Sequence, residues 1–486
     1  MSAHVAMGSR AVRANLGHPV VDADGHWMEA MPVFYDHLRE VGGSRAVEDF
    51  DALRSRRHGA WYAMTPEARR RARHTRPTWW SFPANARDRA TSMMPELLAE
   101  RLEEFGLDFA FVYPSMGNLG LTVEEPGLRR AFVRALNAMA ADSFRAYSSQ
   151  FAPVGVIPTN TPDEAVEELD FAVEELGLKA VVLGGYVTRP VPADGPADGS
   201  AGQFVDPLAL ESDHDYDALW RRCVELGVAV TTHRGTMGWP DRRSSANFVA
   251  NHVGHFAQAH HLFARSLVLG GVTRRFPDLN FGFLEGGVGW ARILCADLVG
   301  HWEKRSRQPM LDHLRPTNID QDEMRRLIRR YGGERLRDRE AEVMASLDPV
   351  YPGTSLEELA AREGAIDDFA AAEVSTGAEL QARFADNFYF GCEADDPMTA
   401  LAFDRRMGAE LKPIFGSDIS HFDVLDMAEV LEEAWELVEH GLLDEADFRR
   451  FTFANVVELH GQMNPDVFTG TAVEDAATAE LRTRQV

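Results

Sequence analysis

Cysteine is scarce: Cys223, Cys295 and Cys392 are the only three in 486 residues, and no two share a Cys-x-x-Cys spacing. That argues against a structural zinc module and against a disulfide framework; a reducing cytoplasm fits such a set best. Basic residues are in deficit, 50 Lys and Arg against 76 Asp and Glu, for a formal net charge of −26. So acidic a surface repels nucleic-acid phosphates and anionic lipid headgroups, and neither nucleic acid nor a membrane is an expected partner. No run of about 18 uncharged apolar residues occurs, so no transmembrane helix is expected. Residues 1–18 lack the apolar stretch of a signal peptide. No Gly-x-Gly-x-x-Gly follows the first apolar run, which leaves a doubly wound open sheet without its usual support.

What the chain has is alternation, on a 45% hydrophobic composition. Short apolar runs occur at Val20-Val21, Phe109–Tyr113, Phe151–Ile157, Ala180–Leu183, Val228–Thr232, Phe281–Leu284, Phe388–Phe390 and Pro413–Phe415. Amphipathic stretches separate most of them: Glu96–Phe105, Glu124–Ala146, Asp163–Glu175, Asp217–Leu226 and Phe248–Val272. Eight β-then-α units predict an α/β fold, a (β/α)₈ TIM barrel over residues 19–465. Residues 1–18 and 466–486 read as polar, flexible tails. Two mostly helical insertions, about 35–95 after strand 1 and 304–383 between strands 6 and 7, are read as covers of one barrel face. The Pro/Gly/Asp-rich run Val191–Gly202 reads as a flexible loop.

In such a barrel the chemistry sits where strands end. Past the first run come Asp24 and His26, past the fifth His233, past the sixth Glu285, past the eighth Asp418. All five are metal-ligand types. Asp24-Gly25-His26 has the period of two that points both side chains one way in an extended strand. Each also has a plainer use: Asp24 or Asp418 as a helix cap, His233 as a hydrogen-bonded core histidine, Glu285 as a helix-start carboxylate. His255, His261, Glu29 and Glu393 are candidates for completing a second metal position. His252 and His255 have the i, i+3 spacing that shares one side of a helix.

These motifs resemble the amidohydrolase-2 family, of the aminocarboxymuconate-semialdehyde decarboxylase type. The resemblance is carried by Asp22-Ala-Asp24-Gly-His26, Gly177-Leu-Lys-Ala-Val, Thr232-His233, Gly270-Gly-Val-Thr-Arg-Arg-Phe-Pro-Asp-Leu, Leu284-Glu285-Gly-Gly-Val-Gly-Trp and Gly416-Ser-Asp418-Ile-Ser-His421. It implies a metal-dependent TIM barrel. Asp24 and Glu285 stand where the family commonly has histidine. That carboxylate-rich pattern resembles a branch that includes the non-haem diiron monooxygenase of platensimycin and platencin biosynthesis, and the resemblance implies CoA-linked substrates.

The favoured expectation is therefore a monooxygenase, an oxidoreductase that hydroxylates a bulky apolar substrate. It would use two iron ions, dioxygen and electrons from an external redox partner. Asp418, Glu285 and His233 would be catalytic. The alternative is a mononuclear Zn or Mn hydrolase or non-oxidative decarboxylase, with Asp418 taking a proton from metal-bound water. A metal-free binding barrel is a third reading. Arg69, Arg70 and Arg71, with Trp79, Trp80 and Arg234, are candidate substrate-binding residues, the arginines for CoA phosphates. A homo-oligomer is allowed by the surface of the two insertions.

Overall fold

The computed structural model describes residues 8–56, 60–77, 83, 85–191, 202–237, 239–314, 318–347 and 367–483. The eight apolar runs form eight parallel strands: β1 Val21–Trp27, β2 Phe109–Pro114, β3 Phe151–Ile157, β4 Ala180–Leu183, β5 Val230–Thr232, β6 Phe281–Phe283, β7 Phe388–Glu393 and β8 Lys412–Gly416. They neighbour one another in chain order, all in parallel register. This is the expected α/β TIM barrel. Strands enclosed by helices are buried on both faces, which is why they read as unbroken apolar runs. β2, Phe-Ala-Phe-Val-Tyr-Pro, is buried at every position.

The ring closes between its first and last strands. Asp418 N donates to Asp24 O at 2.9 Å, and His26 N donates to Ile419 O at 3.0 Å. Beneath them the buried Asp22 carboxylate accepts from Ser417 N at 3.0 Å, from Ser417 Oγ at 2.5 Å and from Asp24 N at 3.0 Å. The helix Pro126–Phe144 starts on Pro126, with Glu125 accepting from Gly127 N and Leu128 N. It is pinned to β3 by Asn137, which donates to Val156 O at 3.0 Å and accepts from Val156 N at 2.7 Å. On the far wall Phe283, Phe388 and Phe281 meet edge to face, Phe283 and Phe388 with centroids 5.1 Å apart.

Two expectations need correction. Neither chain end is a loose tail where it is described. Ser9–Asn15 is a helix with Ser9 and Val12 buried, and Glu474–Thr483 is a helix with Ala477 buried; a few apolar side chains suffice to dock polar segments. The stretch Phe248–Val272 is not one helix. Gly254 (φ +71) breaks it into Phe248–His252 and His255–Leu269, so His252 and His255 stand at the end of one helix and the start of the next. The loop after β4 also carries an antiparallel ribbon, Val187–Pro190 with Gln203–Asp206. Both insertions are largely helical where described, the first over Met31–Arg54, Ala60–Ala63, Pro66–Ala72 and Ala86–Met93. Trp79 and Trp80 lie outside the described residues.

Candidate metal centre

The five residues singled out along the barrel mouth fall into two adjoining groups of donors, Asp24 with His26 and His233, and Glu285 with Asp418. Asp24 Oδ1 lies 3.6 Å from His26 Nε2 and 3.3 Å from His233 Nε2. His26 Nε2 lies 3.1 Å from His233 Nε2 and 3.1 Å from Asp418 Oδ1. His233 Nε2 lies 3.4 Å from Glu285 Oε2. Donors bound about 2.1 Å from one ion sit about 3.0–3.5 Å from their neighbours in octahedral or tetrahedral geometry. The observed spacings are those of one coordination shell.

The backbone is bent to achieve it. Glu285 (φ +54) and Asp418 (φ +51) both occupy the left-handed region, as does Ser420 (φ +72). A non-glycine residue there is held at a cost of about 1–3 kcal/mol, and such residues cluster at functional sites. Gly391 of β7 lets Glu285 come close: a Cβ there would stand 2.7 Å from Leu284 Cα and 3.1 Å from Glu285 N.

The electrostatics favour a cation. Asp24, Glu285 and Asp418 have side chains 3–6% exposed, and among the described residues no lysine or arginine pairs with any of them. Asp24 Oδ1, Glu285 Oε2 and Asp418 Oδ1 are buried with no hydrogen-bond partner. Three carboxylates so placed would be prohibitively costly unless paired or bound to metal. Burial, then the neighbouring Asp418 carboxylate, push Glu285 well above the ordinary carboxyl range. Burial lowers His26 despite its contact with Asp418. The residues present thus fit one divalent cation. His421 Nδ1 donates to Asp418 Oδ2 at 3.0 Å and lies 3.5 Å from Asp423 Oδ2. Burial opposes charge on His421, but Asp418, Asp423 and Glu285 outweigh it and raise the group well above its ordinary value. A partner of this kind fixes the orientation of a ligating carboxylate. In the sequence His421 shows only as the last residue of the motif Gly416–His421.

The donors of Glu285, Asp418, His421 and Asp423 also lie within 4.8 Å of one another, but His421 is engaged there as a hydrogen-bond donor. The four residues offered for a second position, His255, His261, Glu29 and Glu393, belong to neither group of converging donors. Glu29 is buried and accepts from Met116 N at 2.9 Å, tying β1 to the loop after β2. Glu393 lines a neighbouring acidic recess with Asp395 and Asp396. His261 is half-buried on the helix His255–Leu269. The expectation of two irons therefore gains no support from the geometry.

Above the five donors opens a cavity of about 770 Å³. His26 and His233 form part of its lining, with His252, His255 and His421. Tyr113, Phe248, Phe256 and Phe422 make aromatic walls. Among the described residues no lysine or arginine lines it. Arg69 stacks on Trp61 at 3.5 Å and donates to Trp61 O at 2.7 Å; Arg70 and Arg71 are exposed on the helix Pro66–Ala72. Arg234 turns away to Tyr186, donating to its carbonyl at 3.1 Å. Arg76 N donates to Ser244 O at 2.9 Å, which docks the first insertion onto the segment leading into Phe248.

Residues 21–337 match the family model of the amidohydrolases (Amidohydro_2), well over half the chain. The chain belongs to that family. Among curated proteins it is similar to the decarboxylase orsB of Emericella nidulans, 30% identical over 142 residues, 27% of this chain and 36% of that protein. The match thus spans about a third of that relative's length. Among solved structures it is similar to an amidohydrolase of Mycobacterium avium subsp. paratuberculosis at 18% identity and TM-score 0.53, over 92% of this chain and 98% of that one; this is a likeness of fold. A 2,6-dihydroxybenzoate decarboxylase from Rhizobium aligns at 13% identity and TM-score 0.49, over 91% and 98% of the two chains.

The expectation of an oxidoreductase is corrected by these findings. The family is that of the amidohydrolases, and the curated relative is named as a decarboxylase. The physical reason for the misreading is local. Carboxylates in place of histidine at Asp24 and Glu285 suggest a second ion when read along the chain, but in space both oxygens lie against the same His233 Nε2, at 3.3 and 3.4 Å. No helix among the described residues is long and apolar enough to cross a membrane.

Proposed function

We propose that the protein is a metal-dependent, non-oxidative decarboxylase of small planar carboxylic acids, working with one Mn²⁺ or Zn²⁺. The observation that carries the reading is the pair of adjoining donor groups, Asp24 with His26 and His233 and Glu285 with Asp418, His421 and Asp423, beside an aromatic-walled cavity whose described lining holds no lysine or arginine. Family membership and the similarity to a decarboxylase support it. Two imidazoles and three carboxylates are a donor set that suits either metal.

Asp24, His26, His233, Glu285 and Asp418 would hold the ion. When bound, it supplies Lewis-acid charge opposite the substrate carboxylate. Tyr113, Phe248, Phe256 and Phe422 hold the plane of the substrate and exclude water, which strengthens every electrostatic contact in the site. In the reaction the bond to the carboxylate carbon breaks and carbon dioxide leaves. The electron pair remains on the substrate carbon, which then takes a proton. His421, bound through Nδ1 to Asp418 Oδ2, lines the cavity and is the residue placed to deliver that proton.

The test uses purified protein loaded with Mn²⁺, a panel of benzoates and matching aryl esters and amides, in D₂O. The expected result is carbon dioxide release with one deuterium at the former carboxyl position, one ion per chain by elemental analysis, and loss of activity in chelator. Cleavage of an ester or amide without carbon dioxide would replace this reading with a hydrolase.

A further inference from the structure

One buried side chain on the cavity wall has no use in the arrangement so far described. His255 is 5% exposed, and neither Nδ1 nor Nε2 has a hydrogen-bond partner. It lines the same cavity as His26, His233 and His421. Its ring lies 4.5 Å from that of His252 and 4.1 Å from that of Phe256. Burial, then the charges of His252 and Arg242, hold it down to about 2, so the ring is neutral, with one N–H and one bare lone pair. Buried polar groups in native proteins are almost always paired, and an exception calls for a reason.

The turn after β5 shows how the ring is held. Gly235, two residues past His233, lies against the imidazole: a Cβ there would stand 2.1 Å from Nδ1. Nδ1 therefore faces backbone, while Nε2 is likewise enclosed and without a partner, so a ligand reaches it only if the wall moves. The neighbouring Thr236 hydroxyl and the Trp239 indole N–H are also buried without partners, and Met237 of this turn lines the cavity. Unmet groups thus gather in one turn between a metal donor and the cavity wall.

We propose that His255 is a specificity-determining residue: Nε2 hydrogen-bonds a hydroxyl group of the substrate, and the Gly235–Met237 turn shifts to admit it. The assignment rests on the reading of the cavity as a carboxylic-acid site. A neutral imidazole nitrogen is either donor or acceptor, and a hydroxyl answers both. A carboxylate offers only acceptors and an ammonium only donors. The carboxylate has its own partner in the ion, so the hydroxyl is a second point of attachment that separates one planar acid from another.

The experiment measures binding of benzoate and of its three monohydroxy isomers to Mn²⁺-loaded protein by calorimetry. Wild type is expected to bind at least one isomer about 10-fold more tightly than benzoate, the order of one net hydrogen bond. In His255→Phe that ratio is expected to fall to near one with metal content still one ion per chain. His255→Gln, which keeps a polar tip, is expected to recover part of it. His255→Phe is also expected to melt no lower than wild type, because replacing unpaired polar atoms by carbon removes a cost. An isomer preference that survives in His255→Phe, or no preference in wild type, overturns the assignment alone. Loss of the ion in His255→Phe would make the residue a metal ligand instead. Failure of metal-loaded wild type to bind any of the four acids overturns the carboxylic-acid reading and this assignment with it.

Discussion

Glu285 lets backbone strain and metal binding be measured separately at one position. Its φ of +54 is retained only because the surrounding chain imposes it. Alanine there keeps the strain, about 1–2 kcal/mol for an L residue in the left-handed region, and removes the carboxylate. Glycine removes both but adds about 0.4–1 kcal/mol of unfolded-chain entropy. In chelator, Glu285→Gly should therefore unfold about 1 kcal/mol later than Glu285→Ala. The wild type should fall below both, because it alone buries the unpaired Oε2 beside Asp24 and Asp418. Adding Mn²⁺ at about 100 times its dissociation constant should stabilise wild type by about 2.7 kcal/mol. The two variants should gain far less, having lost a donor. Guanidinium unfolding followed by circular dichroism, with and without metal, reads all six values. Equal stability of the glycine and alanine variants would refute the backbone argument. A full metal response in either would refute Glu285 as a ligand.

Further predictions concern the scaffold. Gly391→Ala should lower metal affinity at least 10-fold by titration and destabilise by about 1–3 kcal/mol, because the new Cβ meets Leu284 Cα at 2.7 Å and backbone cannot yield cheaply. Ser9→Ala should cost about 1 kcal/mol in chemical unfolding, since Ser9 Oγ accepts from Leu431 N and Glu432 N and so caps the helix Val430–Glu439 from another part of the chain. His460 is buried against the Phe111 ring at 3.9 Å, and burial lowers it to about 3. The unfolded chain takes up a proton near pH 6.5 that the native state refuses. Stability should therefore fall as pH drops from about 6.5 towards 3, by about 1.4 kcal/mol per pH unit from this one residue. His460→Phe should flatten that acid limb by about one proton, and an unchanged limb would show that His460 is protonated in the native state.

Most strands were legible because they are enclosed on both faces and so read as apolar runs; β1, Val-Asp-Ala-Asp-Gly-His-Trp, is equally buried but alternates with polar residues. The donors were legible because His233, Glu285 and Asp418 stand one or two residues past their strands, while Asp24 and His26 are polar residues within β1 itself. Distance across the mouth was not legible. Nothing in the spacing of residues 24, 285 and 418 tells whether their oxygens surround one ion or two, and the surplus of carboxylates was read as two. His421 was overlooked as a partner because a histidine three residues past a ligand looks the same in sequence whether it faces the ligand or solvent. Gly254 was the visible sign that Phe248–Val272 breaks, but a single glycine is tolerated within many helices. Docking of the terminal helices depends on apolar surface contributed by distant segments, which no local pattern records.

The seam of the barrel coincides with the metal centre. Asp22 and Ser417, joined by their hydrogen bond, are 395 positions apart, and the bonds that complete the ring run through Asp24, His26 and Asp418 themselves. Bringing together chain ends so distant costs about 5 kcal/mol of loop-closure entropy. A nascent chain emerging from the ribosome has Asp24, His26, His233 and Glu285 available long before Asp418, yet the shell is complete only when the last strand arrives. Capture of an ion by these residues would thus be a late event in biogenesis. It would act as a latch on finished topology, favouring chains whose eighth strand has found its place beside the first.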